Sequence, residues 1–63
     1  MIRIEYRKEV HELPAPLTVA EALQQLGYSP ETFMAIRNGV LLDKIDLLKD
    51  GDVVRLVPKF AGG

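Results

Sequence analysis

Asn38-Gly39 stands between two apolar runs, Phe33 to Ile36 before it and Val40 to Leu42 after it. Both residues accept positive φ cheaply, as the two central positions of a type I′ turn require, and that turn matches the natural twist of paired strands. The dipeptide therefore predicts a tight β-hairpin. It weighs heavily because the chain has 63 residues and no cysteine. A domain of this size buries only about 60% of the surface its unfolded chain exposes. Without disulfides, it depends on a compact fold in which every local signal agrees.

The remaining segments extend that hairpin into a sheet. Ile2, Ile4 and Tyr6 alternate with Arg3, Glu5 and Arg7, the period-two pattern of a half-buried strand. Lys8-Glu9 is expected to reverse the chain into a second strand, Val10 to Leu13. This strand places Val10 and Glu12 on one face, His11 and Leu13 on the other. Pro14 and Pro16 end the ladder because proline donates no amide hydrogen. Thr18-Val19-Ala20-Glu21 has the form of a capping box. Val19, Ala22, Leu23 and Leu26 then share one helical stripe, and Gly27 stands where a helix end favours a left-handed residue. Two turns of helix are not stable alone, so this one must lie on a sheet. Tyr28 to Glu31 reads as a turn, and Thr32 to Arg37 as a strand apolar enough for the sheet's interior.

Asp43 to Leu48 is expected to be a loop with a brief helical turn, with Ile45, Leu47 and Leu48 tucked inward. Asp50-Gly51 makes a second turn, Val53 to Val57 a β-branched strand ended by Pro58, and Lys59 to Gly63 a tail. The expected fold class is α+β: a four- to five-stranded mixed sheet with one main helix packed on one face. The first and last strands are far enough apart in sequence to pair in parallel at its centre. Residues 1–58 form the domain and residues 59–63 the C-terminal tail.

The formal charge of −1 offers no basic footprint for nucleic acid. No apolar run approaches the roughly 18 residues of a membrane span. Arg3, Glu5, Arg7 and Lys8 interrupt any signal-peptide pattern, so a cytoplasmic protein is expected. His11, the single histidine, reads as a solvated surface residue. Asp43, Asp46, Asp50 and Asp52 lack the spacing of a calcium loop and suit turn chemistry. Arg37 and Arg55 read as solvent-facing strand positions or as a basic docking patch. Lys8, Lys44, Lys49 and Lys59 read as solubility charges. No nucleophile is placed beside an orienting base, so the chain is not expected to be an enzyme.

The most reactive feature is Gly62-Gly63, the last two residues. A diglycine puts the carboxylate of Gly63 on a thin stalk, and glycine permits close backbone approach. Lys59, Phe60, Ala61 and Gly62 are the expected partner-binding tail. Within it, Phe60 reads as an anchor for a partner's pocket, the alternative being a ring folded back on the core.

The helix Thr18 to Leu26 closed by Gly27, the strand and turn Ala35-Ile36-Arg37-Asn38-Gly39-Val40, and the stretch Asp50 to Pro58 with its diglycine tail together resemble the ubiquitin-like sulfur carriers. That family includes the carriers of thiamine and molybdopterin synthesis. The resemblance implies the β-grasp fold. It also implies that a ubiquitin-activating-type enzyme adenylates Gly63 with ATP, and that sulfur from a persulfide donor enzyme displaces AMP to leave a thiocarboxylate. A sulfur-accepting synthase or thiolase then takes the sulfur. No cofactor is expected on this chain, and the ATP is the partner's. The short length favours the thiamine or tRNA-thiolation type over the molybdopterin type. Phe60 departs from the small aliphatic residue usual in the family. Two alternatives stay open: a protein modifier joined through Gly63 to lysines, and a non-reactive β-grasp module whose edge strand recruits another chain.

Overall fold

The computed structural model describes residues 1–59. Strand β1 (Ile2–Tyr6) pairs antiparallel with β2 (Glu9–Leu13), and Tyr6 stands opposite Glu9. The reversal is thus Arg7-Lys8 rather than Lys8-Glu9, and Arg7 leaves the strand to take φ 55°. Only that register keeps Ile2 and Ile4 on the same face as Leu13 and His11, since a one-residue slip would turn every side chain of β2 over.

A two-residue strand β3 (Leu17–Thr18) leads into helix α1 (Val19–Leu26). Its capping box is formed. The Glu21 amide donates to the Thr18 hydroxyl at 3.2 Å, and the Thr18 amide donates to Glu21 Oε1 at 2.9 Å. The helix ends at Gly27 with φ 83°. An added Cβ there meets nothing within 4 Å, so only the backbone conformation selects glycine. Gly27→Ala is expected to cost about 1 kcal/mol for the left-handed conformation alone, measurable as a lower midpoint in urea.

Strand β4 (Phe33–Arg37) turns through Asn38 (φ 54°) and Gly39 (φ 77°) into β5 (Val40–Leu42), with Arg37 opposite Val40. Positive φ at both central residues is the signature expected of the Asn-Gly pair. The 43–48 segment differs from expectation. Leu47–Leu48 is a strand, β6, paired antiparallel with β3. Leu48 is 0% exposed, whereas Ile45 is 74% and Leu47 48% exposed. Adjacent strand residues face opposite ways, so β6 can bury only one of its two leucines.

The last strand, β7 (Val53–Pro58), lies at the centre of the order β2-β1-β7-β4-β5, parallel to β1 and antiparallel to β4. Pro58 is its last residue and stays within the ladder, opposite Phe33, rather than ending the strand at Val57. The Lys59 amide donates to the Thr32 carbonyl at 2.8 Å, one step beyond the Phe33–Pro58 pair. Hydrogen-bonded and non-bonded pairs alternate in an antiparallel ladder, so proline falls where β4 asks for no donor. On its other side β1 has already finished at Tyr6.

The five-stranded mixed sheet with one helix is the β-grasp, α+β architecture expected. Ile2, Ile4, Val54, Leu56 and Ala35 meet Val19, Ala22 and Leu23 of the helix in a single core, with Leu48 closing one side. The helix covers one sheet face and leaves the other open. β4 is an interior strand as expected, yet only one of its faces is covered.

Candidate functional site

The tail begins where β7 ends, so the most heavily paired strand delivers it. Among the predicted site residues, Lys59 is exposed at that exit and its amide is held by Thr32. Phe60, Ala61, Gly62 and Gly63 lie outside the described residues.

Around the exit, on the helix side, is an aromatic cluster. Phe33, paired with Pro58, meets Tyr6 edge-on at 5.0 Å and Tyr28 at 5.1 Å, and Tyr6 and Tyr28 are 5.6 Å apart. Such edge-to-face contacts contribute about 0.5–1.5 kcal/mol each beyond their buried area. His11 belongs to this group and is not simply solvated: its Nε2 lies 3.3 Å from Glu9 Oε1 and 3.4 Å from Tyr28 Oη. Burial, together with the nearby Glu9 carboxylate and Tyr6, pushes the Tyr28 phenol up from its ordinary value. Its hydroxyl therefore stays protonated well above neutral pH. Sequence reasoning left Tyr6 and Tyr28 unassigned. Their only signal is the spacing that brings a strand end, a helix exit and a strand start together.

The open face is built from the residues that alternation turns away from the helix. The registers Glu5↔Val10, Glu5↔Arg55, Ile36↔Arg55, Ile36↔Leu41 and Met34↔Val57 place these side chains together. Val10, Leu41 and Val53 are exposed. The surface is an apolar field with Arg55 and Glu5 on its β1 side. The strand periodicity of β1 and β7 foreshadowed it, but its continuity depends on strand order.

The two strand arginines part company. Arg55 lies exposed on the open face. Arg37 donates to Asp52 Oδ2 at 2.8 Å and to the Leu47 carbonyl at 3.3 Å, so it braces the β4 end against the loop before β7. The aspartates take up turn duties. Asp46 Oδ2 accepts from the Asp43 amide at 2.7 Å, Asp52 Oδ2 accepts from the Lys49 amide at 2.8 Å, and the Asp50 carboxylate pairs with the N-terminal amine. The Lys49 amide first, and the Arg37 guanidinium next, hold the Asp52 carboxyl below its ordinary value despite partial burial.

A carboxylate with a lowered folded-state pKa stabilises the fold above its unfolded pKa, and that contribution is lost as pH falls through the folded value. Stability is thus expected to fall as pH drops below about 4, near the unfolded carboxylate value. Asp52→Asn should flatten that part of a urea-midpoint-against-pH curve.

Among the described residues no three His, Cys, Asp or Glu side chains gather as a metal site, and no helix is long and apolar enough to cross a membrane. The arrangement offers an exposed, largely apolar sheet face and an outgoing strand. Against known proteins, the ThiS family model matches residues 2–63. The chain is also 33% identical over 63 residues to the "Sulfur carrier protein TtuB" of Thermus thermophilus, covering 100% of this chain and 95% of that one. A β-grasp body, a tail delivered by its central strand and a family match running through that tail agree with one another: the chain belongs to the ThiS family of ubiquitin-like sulfur carriers.

Proposed function

We propose that this protein carries sulfur as a thiocarboxylate on Gly63 and is a substrate of its partner enzymes, not an enzyme itself. The observation that carries the reading is the family match, which continues through the diglycine to residue 63. A carboxylate is a poor acyl donor because oxide is a poor leaving group. In the proposed sequence, a ubiquitin-activating-type partner joins the Gly63 carboxylate to AMP at the expense of ATP. The terminal sulfur of a persulfide donor displaces AMP to give an acyl disulfide, a second thiol cleaves that disulfide to leave the thiocarboxylate and a new disulfide, and a synthase or thiolase then takes the sulfur. The partner surrounds the developing charge with donors and cations. This chain contributes fit and reach: five residues beyond Pro58 span at most about 17 Å.

The open face fits the docking role. Its apolar field is continuous across β7, β4 and β5, and Arg55 and Glu5 supply orientation on its β1 side. Such a field, uncovered in the monomer, suits a surface that a partner dehydrates. TtuB is a sulfur carrier by name, and the likeness supports the carrier role in a thiamine, tRNA-thiolation or molybdopterin route. The proposed use of ATP and of a persulfide donor suits a cytoplasmic setting.

Intact mass of protein isolated from its own cells without reductant tests the reading. The expected species is heavier by one sulfur replacing one oxygen, with the change confined to the C-terminal peptide. Higher-mass adducts on lysines of other proteins, with no thiocarboxylate form, would replace this reading with that of a modifier.

A further inference from the structure

We infer that β5 is the contact through which two copies of this protein pair, edge to edge and antiparallel, across a two-fold axis at Leu41. β5 stands at the end of the order β2-β1-β7-β4-β5, so one of its sides has no neighbouring strand. Natural sheets guard such an edge with charges, proline or a bulge. Val40-Leu41-Leu42 has none of these, and its register against β4 runs unbroken. The opposite edge is guarded: Glu9 and Glu12 of β2 are exposed, and Pro14 follows it. Of the seven large apolar side chains exposed among the described residues, four belong to this end of the molecule, namely Val40, Leu41, Ile45 and Leu47. Val40 stands opposite Arg37, whose guanidinium reaches the Leu47 carbonyl, so the β5 and β6 side chains adjoin.

The occupant is a second copy because this edge complements itself. Arg37 and Val40 flank the two-residue turn and form a hydrogen-bonded pair, and such pairs alternate with non-bonded ones along the ladder. Val40 and Leu42 therefore direct their amides and carbonyls to β4, whereas those of Leu41 point out of the sheet. A copy turned about Leu41 satisfies both groups, each Leu41 amide donating to the other's carbonyl. The side chains agree with that register. Leu41 meets Leu41 of the copy on the open-face side, and Val40 meets Leu42 of the copy on the helix side, all of them aliphatic pairs. Asp43 and Lys44 fall opposite Gly39 and Asn38 of the copy, so no like charges are set against each other. A net charge of −1 repels a copy only weakly. The contact is isologous and closes at two, while the charges on β2 oppose a growing β5-to-β2 ribbon.

The contact is small. A handful of residues on each side falls short of the roughly 20–30 of a stable interface, so the pairing is weak and reversible and shows at about 0.1–1 mM protein. Strand pairing adds a neighbour in the plane of the sheet, so the open faces of β4 and β7 stay uncovered and the dimer still presents them. The pairing stands independently of the chemistry proposed for Gly63.

A dilution series of the full-length protein, followed by amide NMR spectra and sedimentation equilibrium, tests the pairing. Between about 10 µM and about 1 mM, the Leu41 amide and its neighbours are expected to shift progressively while the average mass rises toward twice that of the chain. In a mixed sample, nuclear Overhauser contacts should join Leu41 methyls of differently labelled molecules. Leu41→Lys sets two like charges opposite each other on the axis and is expected to abolish the rise in mass. Val53→Lys, on the open face but away from β5, is expected to leave it unchanged. Both positions are exposed, so both variants should keep the amide shifts of β1. A monomer mass at every concentration overturns the inference, and so does a dimer that survives Leu41→Lys or is lost in Val53→Lys. Growth past two copies with shifts on β2 overturns it as well. No outcome involves the thiocarboxylate, so failure of the sulfur-carrier reading stays distinguishable.

Discussion

Removal of Gly63 is expected to reduce adenylation by the partner about 10³-fold or more while leaving the fold intact. The shortened chain still ends in a glycine carboxylate, so its chemistry is nominally preserved. Its reach is not. One residue is worth about 3.5 Å of extended chain, and misplacing a reacting atom by about 1 Å can already cost about 10²-fold. Among the described residues no buried core residue lies beyond Leu56, so circular dichroism and the urea midpoint should match the parent. ATP-dependent pyrophosphate release with the partner enzyme reads the effect. Undiminished release from the truncated chain would remove the Gly63 carboxylate from the mechanism, and with it the sulfur-carrier reading.

Leu48→Ala is expected to cost about 3 kcal/mol, within the usual range for a fully buried leucine. A chain of this length has total stability on the order of 3–9 kcal/mol, so the variant should be substantially unfolded in moderate urea. The adjacent Leu47→Ala should cost less than about 0.5 kcal/mol, since Leu47 is 48% exposed. Two neighbouring leucines in a two-residue strand are thereby separated by their facing alone. Urea unfolding followed by circular dichroism checks the pair. A shared midpoint for the two variants would mean that β6 does not hold the orientation described.

Where function is concerned, the legible part was the end of the chain and its local punctuation. Gly62-Gly63 and the family resemblance pointed to a charged-and-unloaded terminus, and the match through residue 63 supports the carrier role. The apolar open face was not legible. Val10, Met34, Ile36, Leu41, Val53 and Val57 come from four strands and share one face only through strand order and register. Arg37 shows the same limit, because nothing near it in sequence announces Asp52, fifteen residues on.

What the sequence by itself determined is whatever depends on a few consecutive residues. The Thr18–Glu21 capping box, the left-handed Gly27, the Asn38-Gly39 hairpin and the alternation of β1 all follow from backbone sterics and short-range hydrogen bonding. Tertiary structure decided the rest. It made a strand of Leu47–Leu48 because Leu17–Thr18 lay alongside, carried β7 through Pro58 because β4 needed no donor there, and drew His11 into the aromatic cluster. Each of these was settled by a partner distant in sequence, and long-range pairing rewards a residue only after the chain has closed around it.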